Sequence, residues 1–139
     1  MRDGFVKVAV GTPKIKVGDC RHNAEQIFTL MREADRQGVR VLALPELCMT
    51  GYTCGDLFLQ DTLLDGAEEG LATVLEATKN LDMVTALGMP VRWEGKLYNC
   101  AVVIHRGAIL GVVPKRSLPN YGEFYEGRWF CLLYTSRCV

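Results

Sequence analysis

Two apolar runs in this sequence end in proline followed by an ionisable side chain: "VRVLALPE", which delivers Glu46, and "AILGVVPK", which delivers Lys115. Proline cannot donate to a β ladder, so each run is expected to finish as a strand there. The next side chain then sits at the strand's carboxyl end, where α/β sheets gather their ligand sites. A lone glutamate in such a place reads first as a solvated acid at a loop entrance. A lysine ending a second strand in the same way changes that reading, because an acid and an ammonium can meet as one ion pair in a cleft and perturb each other's protonation. The loop after Lys115, "RSLPNYGEFYEGRWF", adds Glu123, Glu126 and several aromatic rings. The outline is that of an acid-base site.

The elements that must position these groups follow from periodicity. "FVKVAV" (5–10) alternates as a strand does, and "HNAEQIFTLMREADRQG" carries Ala24, Ile27, Phe28, Met31 and Ala34 at helical spacing. Gly38 is placed to close that helix in the left-handed conformation. "VRVLAL" follows as a second strand with little polar content, as expected when both sheet faces are covered. After the Glu46 loop, "TLLDGAEEGLATVLEATKNL" sets Leu64, Ala67, Leu71, Val74, Leu75 and Thr78 on one helical face, with Gly66 and Gly70 as points where the helix could break. "MVTALGMPV", "KLYNCAVVIH" and "AILGVVPK" then read as three strands joined by turns at "RWEG" and "RG". The order β-α-β-α-β-β-β predicts an α/β layered domain, a mixed sheet with helices on one face.

Composition narrows the function classes. The 139 residues are 49% hydrophobic, enough for one compact core. Sixteen basic and sixteen acidic side chains cancel, and no dense Lys/Arg stretch occurs, so neither nucleic acid nor an anionic membrane is the expected partner. A small neutral ligand fits better. No apolar run approaches the ~18 residues that span a bilayer, and "MRDGFVKVAVG" carries charges where a signal peptide needs its apolar segment, so a cytosolic location is expected. The six cysteines are expected as reduced thiols. They form no CxxC, and His22 and His105 lie far apart, so no metal is expected. "VAVGTPKIKVGD" contains neither GxGxxG nor GxxxxGK, which argues against a nucleotide site.

"LALPELCMTGY" around Glu46, "GVVPKRSLPNYGEFYEGRWF" around Lys115 and the order of elements before them resemble the carbon-nitrogen hydrolase (nitrilase) superfamily, over residues 5–130. "TGYTCGDLF" and "LPNYGEFYEGRWF" look most like the glutamine amidohydrolase domain of glutamine-dependent NAD synthetases. The resemblance implies a four-layer α-β-β-α sandwich, of which this chain would hold an N-terminal part, and a Glu-Lys-Cys catalytic set. Glu46 matches the general base, Lys115 the lysine that stabilises the oxyanion, and Glu123 the second glutamate supporting the site. Tyr52, Tyr121 and Glu126 match positions that shape the glutamine pocket; for either tyrosine, plain packing of a mobile loop is the other reading. The resemblance further implies glutamine as substrate, a synthetase domain as partner that uses ATP and Mg2+ outside this chain, and a homo-oligomer at full length.

The nucleophile departs from the family pattern. The family's cysteine follows a strand some tens of residues beyond the lysine and is usually followed by an acid. Cys131 follows Trp129 and Phe130, and Cys138 is followed by Val139, so neither has that context. Cys48 and Cys54 flank the base in sequence but read as small buried hydrophobes. None of the six is assigned as nucleophile, the chain alone is expected to be inactive, and residues 131–139 are expected to be an atypical, foreign tail. Two other readings stay open: another amidase of the superfamily, and a non-catalytic α/β interaction domain.

Overall fold

The computed structural model describes residues 4–134. Its elements are β1 (Val8–Val10), α1 (Cys20–Arg36), β2 (Val41–Ala43), a 3-10 turn (Gly55–Leu59), α2 (Asp61–Ala77), β3 (Val84–Trp93), β4 (Lys96–His105), β5 (Ala108–Pro114) and a second 3-10 turn (Glu126–Arg128). The strands form one sheet in the order β1-β2-β3-β4-β5. β1, β2 and β3 run parallel, while β3-β4 and β4-β5 are antiparallel hairpins.

Asp19 opens α1 by accepting the backbone N–H of His22 at 3.0 Å. Gly38 closes it at φ +74. The N–H of Gly38 reaches the Asp35 carbonyl and that of Val39 the Ala34 carbonyl, a Schellman pair that turns the chain straight into β2. α2 does not break at its glycines. Gly70 lies where a Cβ would come within 2.7 Å of the Met49 sulfur and 3.6 Å of the Ala24 Cβ, and Gly66 faces Cys20. The missing side chain at Gly70 lets α1 and α2 approach closely, and the helix runs through both glycines.

Strand register explains where the core sits. Ala9, Leu42, Thr85 and Ile104 share one row, and Leu87 with Val102 another, all facing the helices. Leu42, Leu87, Val102 and Ile104 pack there with Ile27 and Met31 of α1 and with Ala67 and Val74 of α2. The alternate residues face the other way: Val10, Ala43, Ala86 and Val103 form one outward row, and Gly88, Ala101 and Val113 the next. Val10 is 87% exposed and Val113 56%. β2 is therefore covered on one face, not both, among the described residues. The described layers are one of helices and one of strands.

Cys20, Cys48, Cys54 and Cys100 are free thiols. The expected boundary after Phe130 falls inside a bonded stretch. The Cys131 N–H donates to the Leu97 carbonyl at 2.8 Å, and its side chain packs against Tyr98 and Cys100. Residues 135–139 of the expected tail, Cys138 among them, lie outside the described residues.

Candidate active site

Leu44 extends the β2 ladder by one bond, donating its N–H to the Ala86 carbonyl at 2.9 Å, and the chain then turns at Pro45-Glu46-Leu47. Leu47 holds φ +51, a left-handed conformation that costs a branched residue free energy; its side chain is completely buried, which holds the turn in place. The turn passes directly over β3 at Gly88. An added Cβ there would lie 2.3 Å from the Leu47 nitrogen and 2.5 Å from the Pro45 oxygen. Only glycine permits the crossing. The Gly88 carbonyl then accepts the Met49 N–H at 3.1 Å.

Lys115 arrives from the other side. Its N–H donates to the Asn99 carbonyl at 2.7 Å, extending the β4-β5 pairing by one residue. Glu46 and Lys115 do meet: Nζ donates to Glu46 Oε1 at 2.6 Å. The strands they follow are not neighbours, because β3 and β4 lie between β2 and β5. The gap is closed by Gly88, which lets the Glu46 turn lean across β3, and by Asn99 on β4, whose buried side-chain amide donates to the same Glu46 oxygen at 2.5 Å.

Lys115 also donates to both oxygens of Glu126, at 3.0 Å each. The Glu126 side chain is 3% exposed and accepts the Tyr52 hydroxyl at 2.7 Å. Glu126 thus stands beside Lys115, where Glu123 was expected. Glu123 is solvent-exposed and makes no hydrogen bond or ion pair among the described residues, although its charge is felt at the Tyr52 hydroxyl. The loop bends at Tyr121–Phe124, where the Phe124 N–H returns to the Tyr121 carbonyl, and this bend throws Glu123 outward. The 3-10 turn that follows points Glu126 back in. Tyr121 is 72% exposed and stands edge-on to Phe124, which in turn meets the Tyr52 ring. Tyr52 joins the site by its bond to Glu126, whereas Tyr121 reaches it only by way of Phe124.

Charge placement is self-consistent. Burial alone would lower the Lys115 pKa, but the hydrogen bonds to Glu46 and Glu126 outweigh it and hold the ammonium above its ordinary value. Lys115 is therefore a fixed cation between two carboxylates. Burial, and then the bond to Glu126, push the Tyr52 hydroxyl well above the ordinary tyrosine range, so it remains a donor. A cleft of about 370 Å³ opens beside the pair, lined by Leu44, Glu46, Gly88, Asn99, Ala101 and Lys115. Cys100 also borders it, but burial pushes that thiol up to about 11, as it does Cys20 and Cys48. Cys54 is raised by the same cause. None of these thiols has the cationic surroundings that make a thiolate.

Gly88 and Asn99 were missed from the sequence. A glycine inside a strand pattern hints at close backbone approach, and an asparagine in the apolar run "KLYNCAVVIH" hints at a polar task, but neither names its partner.

Residues 7–129 match the Carbon-nitrogen hydrolase family. The glutamine-dependent NAD(+) synthetase of Mycobacterium leprae is 43% identical over 125 residues, which are 90% of this chain and 18% of that protein. The Aquifex aeolicus glutamine-dependent NAD(+) synthetase is 40% identical over 114 residues, 82% of this chain and 20% of that protein. Among solved structures, the glutamine-dependent NAD+ synthetase from Acinetobacter baumannii in complex with ADP superposes with a TM-score of 0.86 at 31% identity, covering 94% of this chain and 24% of that one. An amidase of the nitrilase superfamily from Nesterenkonia sp. shares the fold, with a TM-score of 0.81 at 19% identity over 97% of this chain and 51% of that one. The chain spans about a fifth of the length of the synthetases it matches. The matched region runs through Glu46, Lys115 and Glu126, and the chain belongs to the carbon-nitrogen hydrolase family.

Proposed function

We propose that this chain supplies the base and the oxyanion-stabilising cation of a glutamine amidohydrolase site, as a segment of a glutamine-dependent NAD(+) synthetase. The observation that carries the reading is the Lys115 ammonium held between Glu46 at 2.6 Å and the buried Glu126 at 3.0 Å, at the mouth of an open cleft. An amide is a poor electrophile. Its hydrolysis needs a nucleophile, a base to take the nucleophile's proton, and positive charge where the tetrahedral oxyanion forms. Both hydrogen bonds to Glu46 land on Oε1 among the described residues, which leaves Oε2 to accept a thiol proton, pass it to departing ammonia and then activate water. General-base help of this kind is worth roughly 10² to 10⁴ in rate. The Lys115 ammonium, tied to two carboxylates, stays positive through the cycle, and Tyr52 holds Glu126 in place behind it.

In this reading ammonia goes to deamido-NAD(+), and ATP and Mg2+ serve a synthetase domain. No group of three His, Cys, Asp or Glu among the described residues is placed to hold a metal ion, so no step here is routed through Mg2+. A cytoplasmic setting and a homo-oligomer at full length belong to the same proposal; no helix of the described residues is long and apolar enough to cross a membrane. The test is ammonia release from glutamine, measured for the 139-residue chain beside a longer chain carrying natural downstream sequence. The short chain is expected to be silent, since no described thiol is activated beside Glu46 and loss of a nucleophile costs nearly as much as loss of the whole set. The longer chain is expected to hydrolyse glutamine and to lose that activity as Glu46→Gln or Lys115→Met. A longer chain that prefers simple aliphatic amides makes it another amidase; one that hydrolyses neither overturns the reading.

A further inference from the structure

Outside the Glu46-Lys115-Glu126 network, one exposed carboxylate collects three donors. Asp56, in the first 3-10 turn, accepts from Arg128 Nε at 2.7 Å and from Trp129 Nε1 at 2.9 Å on Oδ1, and from Arg128 Nη2 at 2.9 Å on Oδ2. A single surface ion pair contributes little, but a two-pronged guanidinium fork with a third donor on the same carboxylate fixes orientation as well as distance. What it orients is the segment beginning at Glu126. The Glu126 carbonyl accepts the N–H of Trp129 at 3.0 Å and of Phe130 at 2.9 Å, so the backbone that carries the buried glutamate is bonded to the residue Asp56 grips. The same two segments are joined a second time by Tyr52 and Glu126. Apolar contact backs the clamp: Phe58, two residues after Asp56, packs at a tilt against Trp129 at 5.9 Å and Phe130 at 5.0 Å between ring centres.

We propose that Asp56 is a positioning residue of the site, holding Arg128 and Trp129 so that Glu126 faces Lys115 and Tyr52. Hydrogen bonds from Arg128, and then from Trp129, keep the Asp56 carboxyl well below the usual carboxylate range, so the clamp is charged at neutral pH. The inference concerns the same site as the amide-hydrolysis reading, but its test does not pass through activity, so either can fail alone.

The readout is ionisation of Tyr52, which burial, and then the bond to Glu126, hold up. In the 139-residue chain with ring-labelled tyrosine, NMR titration should show Tyr52, assigned through Tyr52→Phe, remaining protonated where exposed tyrosines ionise. In Asp56→Asn its midpoint should fall by about one pH unit or more toward the ordinary ~10, with the circular dichroism spectrum unchanged. Arg128→Lys keeps the charge but loses the fork, and should move Tyr52 the same way; it is the deciding variant where Asp56→Asn does not fold. A folded variant in which Tyr52 titrates as in the parent overturns the proposal, even where the melting temperature drops, because Asp56 is then only a surface staple.

Discussion

At the scale of single residues, the place of Glu126 beside Lys115, where Glu123 was expected, sets the first prediction. Lys115→Met removes the cation that Glu126 faces and leaves a carboxylate that is 3% exposed with only the Tyr52 hydroxyl for company. Breaking a buried pair from one side should cost about 3 kcal/mol in a urea melt at neutral pH. Glu123→Gln touches no bonded group and should stay within about 0.5 kcal/mol of the parent. Equal costs for the two would return the supporting role to Glu123. The pH dependence has a definite sign. Lys115 is raised on folding, so its stabilising contribution is complete below the unfolded lysine value of ~10.4 and fades as pH climbs through the higher folded one. The gap between the parent and Lys115→Met should therefore narrow in alkaline buffer. Both ends of the Glu46-Lys115 pair were legible in the sequence because proline marks where each strand stops. The direction of a glutamate inside "LPNYGEFYEGRWF" was not, since a loop without period 2 or 3.6 carries no inside and outside.

At the scale of elements, glycines separate two effects that look alike in sequence. Gly66 and Gly88 both interrupt a regular run. In α2, a Cβ at Gly66 would meet the Cys20 side chain at 3.6 Å or more, ordinary contact, so Gly66→Ala should recover helix propensity and stabilise by up to about 1 kcal/mol. In β3, a Cβ at Gly88 would strike backbone atoms of the Pro45-Leu47 turn at 2.3 to 2.8 Å. Backbone cannot swing aside as a side-chain tip can. Gly88→Ala should cost about 2 kcal/mol or more and displace Glu46 from Lys115. Thermal melts of the two variants should move in opposite directions, and a Gly88→Ala variant as stable as the parent would dissolve the crossing argument. The element order was legible from periodicity alone. That β2 and β5 stand apart, and that Gly88 and Asn99 bridge them, depends on strand order, which the sequence of a sheet does not carry.

At the scale of the whole molecule, the described sheet is a one-sided structure. The helices cover Leu42, Leu87, Val102 and Ile104, while Val8 and Val10 of β1, Val41 of β2 and Val113 of β5 stand in solvent at 67%, 87%, 41% and 56% exposure. The resemblance read from the sequence implies a second sheet over this face, and an apolar face this continuous is otherwise an association surface. Among the described residues no further strand pairs with the edge strands β1 and β5, which adds open hydrogen-bonding edges. The isolated 139-residue chain should therefore self-associate with rising concentration in sedimentation velocity. The double variant Val10→Lys, Val113→Lys should remain monomeric over the same range. Both changes fall on the outward rows, away from the helices, and although Val113 borders the cleft beside Glu46 and Lys115, it carries none of the core, so urea unfolding of the double variant should keep its cooperativity. Association that survives both charges would move the contact to the β1 or β5 edge. A parent chain that stays monomeric at every concentration would mean that the uncovered face is tolerated by water, and the case for a covering layer would lose its physical motive.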